Sequence, residues 1–188
     1  KNLDELINFY TSSLREVDQL QREFMQMSTD IIYSDGKEDL DPIINRAHER
    51  HRKIVNKAQA AFTQLLETST WPPLGQMSNN STHTDIIAPK LRDHNSRVAY
   101  LMVDALRYEL GVVLKQRLSE DYPVELLSAC AQFPTITLVG MASLLPGADS
   151  NLNLILNDGK LEPVIGDQAV STVQQRMSTF RREYGDRF

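Results

Sequence analysis

Two long stretches of helical periodicity constrain this chain more than any other feature. Between residues 3 and 33, Ile7, Tyr10, Leu14, Val17, Phe24, Ser28 and Ile31 recur at steps of three and four around a polar break at Gln21. Leu3, Leu6, Leu20 and Met27 widen this stripe, and no Gly or Pro interrupts it. Ser34-Asp35-Gly36 reads as a stop, with Gly36 free to adopt the left-handed conformation that ends helices. Asp41-Pro42 reads as a new start, and Ile44, Ala47, His51, Ile54, Ala58, Ala61 and Leu65 carry a second stripe. Two helices of roughly 45 Å joined by a short turn predict an antiparallel hairpin. Leu14, Val17, Phe24, Ile54, Ala58 and Phe62 are expected to face inward.

The pattern collapses after Thr68. Trp71-Pro72-Pro73-Leu74-Gly75 cannot continue a helix, and Ser78-Asn79-Asn80-Ser81-Thr82 is polar and turn-prone. The chain therefore divides into a helical hairpin at 1–70, a linker at 71–97 and a second part at 98–188. In the second part Val98 to Val103 is a continuous apolar run that predicts a strand buried on both faces. A helix over 105–118 follows, then a strand at 124–130, a break at Pro134-Thr135-Ile136-Thr137 and a short helix over 138–145 stopped by Pro146-Gly147. Gly140 is expected to allow close packing of that helix. Two strands around 152–156 and 161–165 flank Asp158-Gly159, a strong hairpin signal, and an amphipathic helix spans 170–184. Strands alternating with helices imply an α/β fold with a mostly parallel sheet and flanking helices.

Composition narrows the function. No apolar run approaches the roughly 20 residues that span a bilayer, and no signal segment opens the chain, so no membrane partner is expected. Cys130, the only cysteine, has no disulfide partner within the chain, which fits a cytoplasmic protein. A net charge of −5 argues against a nucleic-acid binder driven by bulk charge. Locally the balance reverses: Arg46, Arg50, Arg52, Lys53 and Lys57 face one acid, Glu49, along the second helix. That run suits DNA phosphates, a solvated face, or pairing with an acidic neighbour such as residues 1–40, which carry nine acids against four bases. His48 and His51, without a further ligand, read as surface and partial core rather than as a metal site. The first residue is Lys1, and we expect the chain to be a fragment of a longer protein.

In open α/β sheets ligands gather at the carboxyl ends of strands. Asp104 closes the apolar run, and Thr135 and Thr137 lie between the second strand and the next helix. A carboxylate and a hydroxyl there can share a divalent metal, which would activate a hydroxyl otherwise too basic to attack at neutral pH. Asp and Thr are also favoured helix N-caps, so spacing alone leaves capping and catalysis both open. Arg107 is placed either to reach a phosphate or to pair with Glu109.

At these positions the chain resembles a known family. Val98-Ala99-Tyr100-Leu101-Met102-Val103-Asp104-Ala105-Leu106-Arg107-Tyr108-Glu109 is similar to the opening motif of the PglZ domain. Residues Gln132 to Gly147, including Phe133-Pro134-Thr135-Ile136-Thr137, are similar to its second motif. The resemblance covers residues 98 to about 188 and implies an alkaline-phosphatase-like fold. It implies a metal-dependent phosphatase or phosphodiesterase of BREX, a bacterial anti-phage system, with two divalent metals, usually zinc. Asp104 falls on a metal ligand of that superfamily, and Thr137 on the nucleophile and metal ligand, with Thr135 as the alternative. The implied partners are a DNA methyltransferase and an ATPase, with a phosphate-ester or nucleic-acid substrate. The superfamily completes its site with Asp and His ligands downstream of the nucleophile. Here His48, His51, His83 and His94 all precede the core run, and no His follows Thr137. The fragment is accordingly expected to hold an incomplete metal centre and to be inactive alone. The rival expectation is a non-catalytic scaffold of a defence complex, making DNA or protein contacts through its helical half.

Overall fold

A computed structural model describes residues 2–33, 40–93, 95 and 97–185. Contacts divide the chain into two compact units, one of residues 1–74 with 107–128, the other of 75–106 with 129–188. The segment 107–128 thus joins the first helices, although it follows them by some forty residues.

The first unit is helical. Helix α1 (Leu3–Phe9) passes through a π-helical turn (Tyr10–Leu14) into α2 (Arg15–Tyr33), and α3 (Asp41–Leu66) returns alongside. Thr11 and Ser12 donate their hydroxyls to the carbonyls of Asn8 and Phe9, the local competition with the helix ladder that such residues introduce. Asp18 faces His51 at 3.5 Å and Gln21 meets His48 at 3.1 Å, which makes α2 and α3 antiparallel. The expected stop at Ser34-Asp35-Gly36 lies outside the described residues. Leu14, Val17, Phe24, Ala58 and Phe62 are half-buried, as the stripe predicts. Ile54 is the exception at 43% exposed, because it sits at the edge of the packed face.

Helix α5 (Tyr108–Leu118) packs on α2 in this unit. Its Gly111 is buried, and a Cβ there would stand 3.3 Å from Leu126 Cδ1. Close approach therefore falls at Gly111. Gly140, where it was expected, has open space beside it.

The second unit holds the only sheet among the described residues. Strand β1 (Leu152–Asn157) pairs antiparallel with β2 (Lys160–Ile165), and β2 pairs antiparallel with β3 (Gln168–Ala169). Asp158 and Gly159 both have positive φ, 50° and 73°, as the tight hairpin turn requires. Before the sheet come a π-turn (His83–Ile87) leading into α4 (Ala88–Arg92), then α6 (Thr137–Ala142) and α7 (Ala148–Asn151). Helix α8 (Val173–Tyr184) follows the sheet behind a capping box of Thr172 and Gln175. The core gathers Ala142, Leu145, Ala148, Ile165, Val170 and Phe180, with Tyr100, Met102 and Leu152 packed against it.

The expected parallel sheet is absent from the described residues, and the correction has a local cause. Residues 98–103 and 124–130 have no regular secondary structure and form no ladder, apart from one parallel bridge between Ser78 and Cys130. Both segments alternate between half-buried and exposed positions. Tyr100 and Met102 turn toward the core, while Leu101 and Val103 are 77% and 55% exposed. A continuous apolar run reads as a doubly buried strand only when neighbours cover both faces and both edges. Here one face alone is covered, and no described strand supplies the hydrogen-bonding edge.

Candidate functional site

Asp104 and Thr137 are 33 residues apart and in direct contact within the second unit. Thr137 Oγ1 donates a hydrogen bond to Asp104 Oδ2 at 3.0 Å, and both side chains are exposed. Each gets there through a short irregular segment. Asp104 does not lead straight into a helix, since a turn at Asp104-Ala105 and two further non-helical residues separate it from α5. Ala105 has φ 54°, a left-handed conformation that costs a non-glycine residue roughly 1–2 kcal/mol. Thr137 is the first residue of α6, and Ile136 before it is extended at φ −109°, ψ 153°.

This geometry answers the question of capping. The N-cap of α6 is Ile136 and that of α5 is Arg107, and neither makes a side-chain cap hydrogen bond. Neither Thr137 nor Asp104 caps a helix. Thr135, the alternative nucleophile, is exposed two residues earlier.

The oxygen pair suits a hard divalent cation in kind but not in number. A catalytic metal site takes three protein ligands or more, and this pair supplies one carboxylate and one hydroxyl. No group of three or more His, Cys, Asp or Glu side chains able to hold a metal occurs among the described residues.

The other sequence candidates sit elsewhere. Arg107 donates one guanidinium N–H to Glu109 Oε1 at 3.0 Å in the helical unit, so it pairs with the carboxylate two residues on. Glu109 is fully buried and takes a second guanidinium, that of Arg22 at 3.2 Å. Sequence reasoning missed Arg22, because a partner 87 residues away leaves no local pattern. His48 and His51 line α2 as described, and His94 lies outside the described residues. His83 is buried, with Nε2 2.8 Å from the Tyr184 hydroxyl and its ring against Phe180. Burial lowers its pKa from the ordinary histidine value, and Glu183 and Asp149 oppose this only in part. Tyr100 closes the same aromatic cluster, donates to the Leu144 carbonyl at 3.1 Å and is pushed by burial to a pKa of about 12. This histidine is a packing residue.

No helix of the described residues is long and apolar enough to cross a membrane. No curated protein and no solved structure matches the chain. A family profile, the BREX system PglZ alkaline phosphatase-like domain, matches residues 82–187. Since that match takes in more than half of the chain, including both Asp104 and Thr137, the chain belongs to the PglZ family of alkaline phosphatase-like domains.

Proposed function

We propose that the full-length protein is a metal-dependent phosphohydrolase, a phosphatase or phosphodiesterase, acting in the cytoplasm in BREX anti-phage defence. The observation that carries this reading is the 3.0 Å hydrogen bond between Thr137 and Asp104 inside the matched domain. A helix-opening hydroxyl that ignores its own helix and turns to a carboxylate is set up for chemistry rather than for capping. Thr137 Oγ1 is the attacking oxygen. Its O–H proton is lost to solvent, the O–P bond forms as the bond from phosphorus to the ester oxygen breaks, that oxygen takes a proton from water, and a second water later hydrolyses the phosphothreonine. Asp104 holds the hydroxyl in one rotamer, with a lone pair directed away from the carboxylate. Asp104 and Thr137 would both contribute oxygens to a divalent cation, zinc being the first choice, and that cation supplies the Lewis acidity that lowers the hydroxyl pKa.

The test is hydrolysis of bis(p-nitrophenyl) phosphate by the full-length protein, alongside metal content. Thr137→Ala is expected to lower the rate at least about 10²-fold while leaving the melting temperature nearly unchanged, and Thr137→Ser to keep part of the activity. Parent rates from folded, metal-loaded Thr137→Ala protein would defeat the assignment. Loss on Thr135→Ala instead would move the nucleophile by two residues.

The two-ligand shortfall favours a second reading, a non-catalytic scaffold that joins a DNA methyltransferase and an ATPase in a defence complex. Full-length protein that binds no zinc and hydrolyses no phosphate ester, yet holds both partners, would select it.

A further inference from the structure

The middle of α3 carries a feature that the hydrolase reading does not use. Arg46, Arg50, Lys53 and Lys57 follow one another at steps of four, three and four, so they lie on a single face of the helix. All four are exposed, and none makes an ion pair with a described residue. Over these eleven steps the helix rises about 16 Å, so the four cations form a straight stripe at intervals of about 5–6 Å. The half-buried residues Ala47, His51, Ala58 and Phe62 mark the packed side of α3, which the stripe avoids. Glu49 borders the stripe and is the only acid between residues 46 and 57.

We propose that this stripe docks the phosphate backbone of double-stranded DNA, without reading its sequence. Duplex DNA presents one negative charge per about 1.7 Å of axis, so the stripe meets more phosphates than it has cations and needs no register. The two arginines offer planar forks that match phosphate oxygens, and the lysines act as point charges. Protein interfaces are built on apolar and aromatic anchors and are depleted in lysine. Asn45, Asn56 and Ala60 beside the stripe supply no such anchor, and the exposed apolar residues on its other flank are two isoleucines, Ile43 and Ile54, with no aromatic ring among them. The net charge of −5 does not forbid docking, because at physiological salt charges farther than about 8 Å from the contact are largely screened. No base-reading element accompanies the stripe, so binding is expected to depend on salt and not on sequence.

The test is fluorescence anisotropy of the protein with a labelled random-sequence 25-base-pair duplex, titrated between about 50 and 200 mM salt. Four phosphate contacts predict a plot of log affinity against log salt with a slope of about −3.6. Each of Arg46→Gln, Arg50→Gln, Lys53→Gln and Lys57→Gln is expected to flatten the slope by about 1. The quadruple variant is expected to lose at least about tenfold in affinity at the lowest salt, with an unchanged melting curve. Arg52→Gln, on another side of the helix, is the control and keeps both affinity and slope. A parent protein that hydrolyses no phosphate ester yet binds the duplex with the expected slope leaves this proposal standing, so its failure and that of the hydrolase reading are distinguishable. The proposal is overturned by a parent protein that does not bind the duplex at 50 mM salt. It is equally overturned by a quadruple variant with parental slope. Competition by polyglutamate as effective as that of duplex at equal charge would transfer the surface to an acidic polypeptide.

Discussion

The two units keep their shape by different means. In the unit that holds the sheet, Leu145, Val139, Val170 and Pro163 are among the largest fully buried side chains, and the polar residues buried with them, Ser143, Thr179 and His83, each have a hydrogen-bond partner. In the helical unit the corresponding residues are Leu3 and Glu109, and α3 has no buried residue at all. A long helical stripe spreads its burial thinly, each apolar side chain half covered. The deep position in this unit goes instead to a carboxylate held by two guanidinium groups. One unit thus depends on cavity-free packing, the other on keeping a buried charge paired.

The largest effect should come from breaking that pairing. With Arg22→Ala and Arg107→Ala together, Glu109 stays buried without a cation, and the helical unit should lose about 3–5 kcal/mol. Trp71, stacked edge-on against Phe62 at 5.4 Å, reports this in urea titrations through its fluorescence. Glu109→Met, which removes the charge as well, should be far milder and can be stabilising. If Glu109→Met is as damaging as the arginine pair, the difference drawn between the units is wrong.

Leu145→Ala tests the other side. Truncating a fully buried leucine in the sheet-containing unit should cost about 2–5 kcal/mol, read as lost amide protection in β2 and α8. Ile54→Ala in the helical unit, at a position 43% exposed, should stay within about 0.5 kcal/mol. Equal costs at the two sites would erase the contrast.

The smallest effect is a pH dependence belonging to the sheet-containing unit. His83 is depressed below its ordinary value by burial, so the folded state binds fewer protons there than the unfolded chain does. Its contribution to stability is complete above the unfolded pKa of about 6.5 and is lost as pH falls toward the lower folded value. Denaturation between pH 7.5 and 5 should show that loss in the parent, and His83→Asn should flatten it. An unchanged slope in the variant would assign the acid sensitivity elsewhere.

Much of the architecture was written locally. The helices at 3–33 and 41–66 follow from uninterrupted apolar periodicity, and the Asp158-Gly159 hairpin from turn chemistry that few other residues satisfy. The break at Trp71-Pro72-Pro73 is likewise local, since proline cannot continue a helix. Asp104 and Thr137 were legible as a pair of polar residues closing and opening apolar segments. Their contact was not, because capping has the same sequence signature as a site and only the 3.0 Å approach separates the two. The segments at 98–103 and 124–130 were overread as strands. Their apolar content is real, but a ladder needs a second chain segment brought alongside, and no pattern within six residues encodes that neighbour.

The sequence by itself therefore determined what depends on a few adjacent residues: helix faces, turns, breaks, the basic stripe of α3 and the family to which residues 82–187 belong. Tertiary structure alone decided which residues meet across long separations. It paired Arg22 with Glu109 and His83 with Tyr184, and it turned the Thr137 hydroxyl to Asp104 instead of to its own helix. The physical reason is loop closure: the cost of bringing distant residues together is met by the packing of the whole unit, and no short stretch of sequence records that sum.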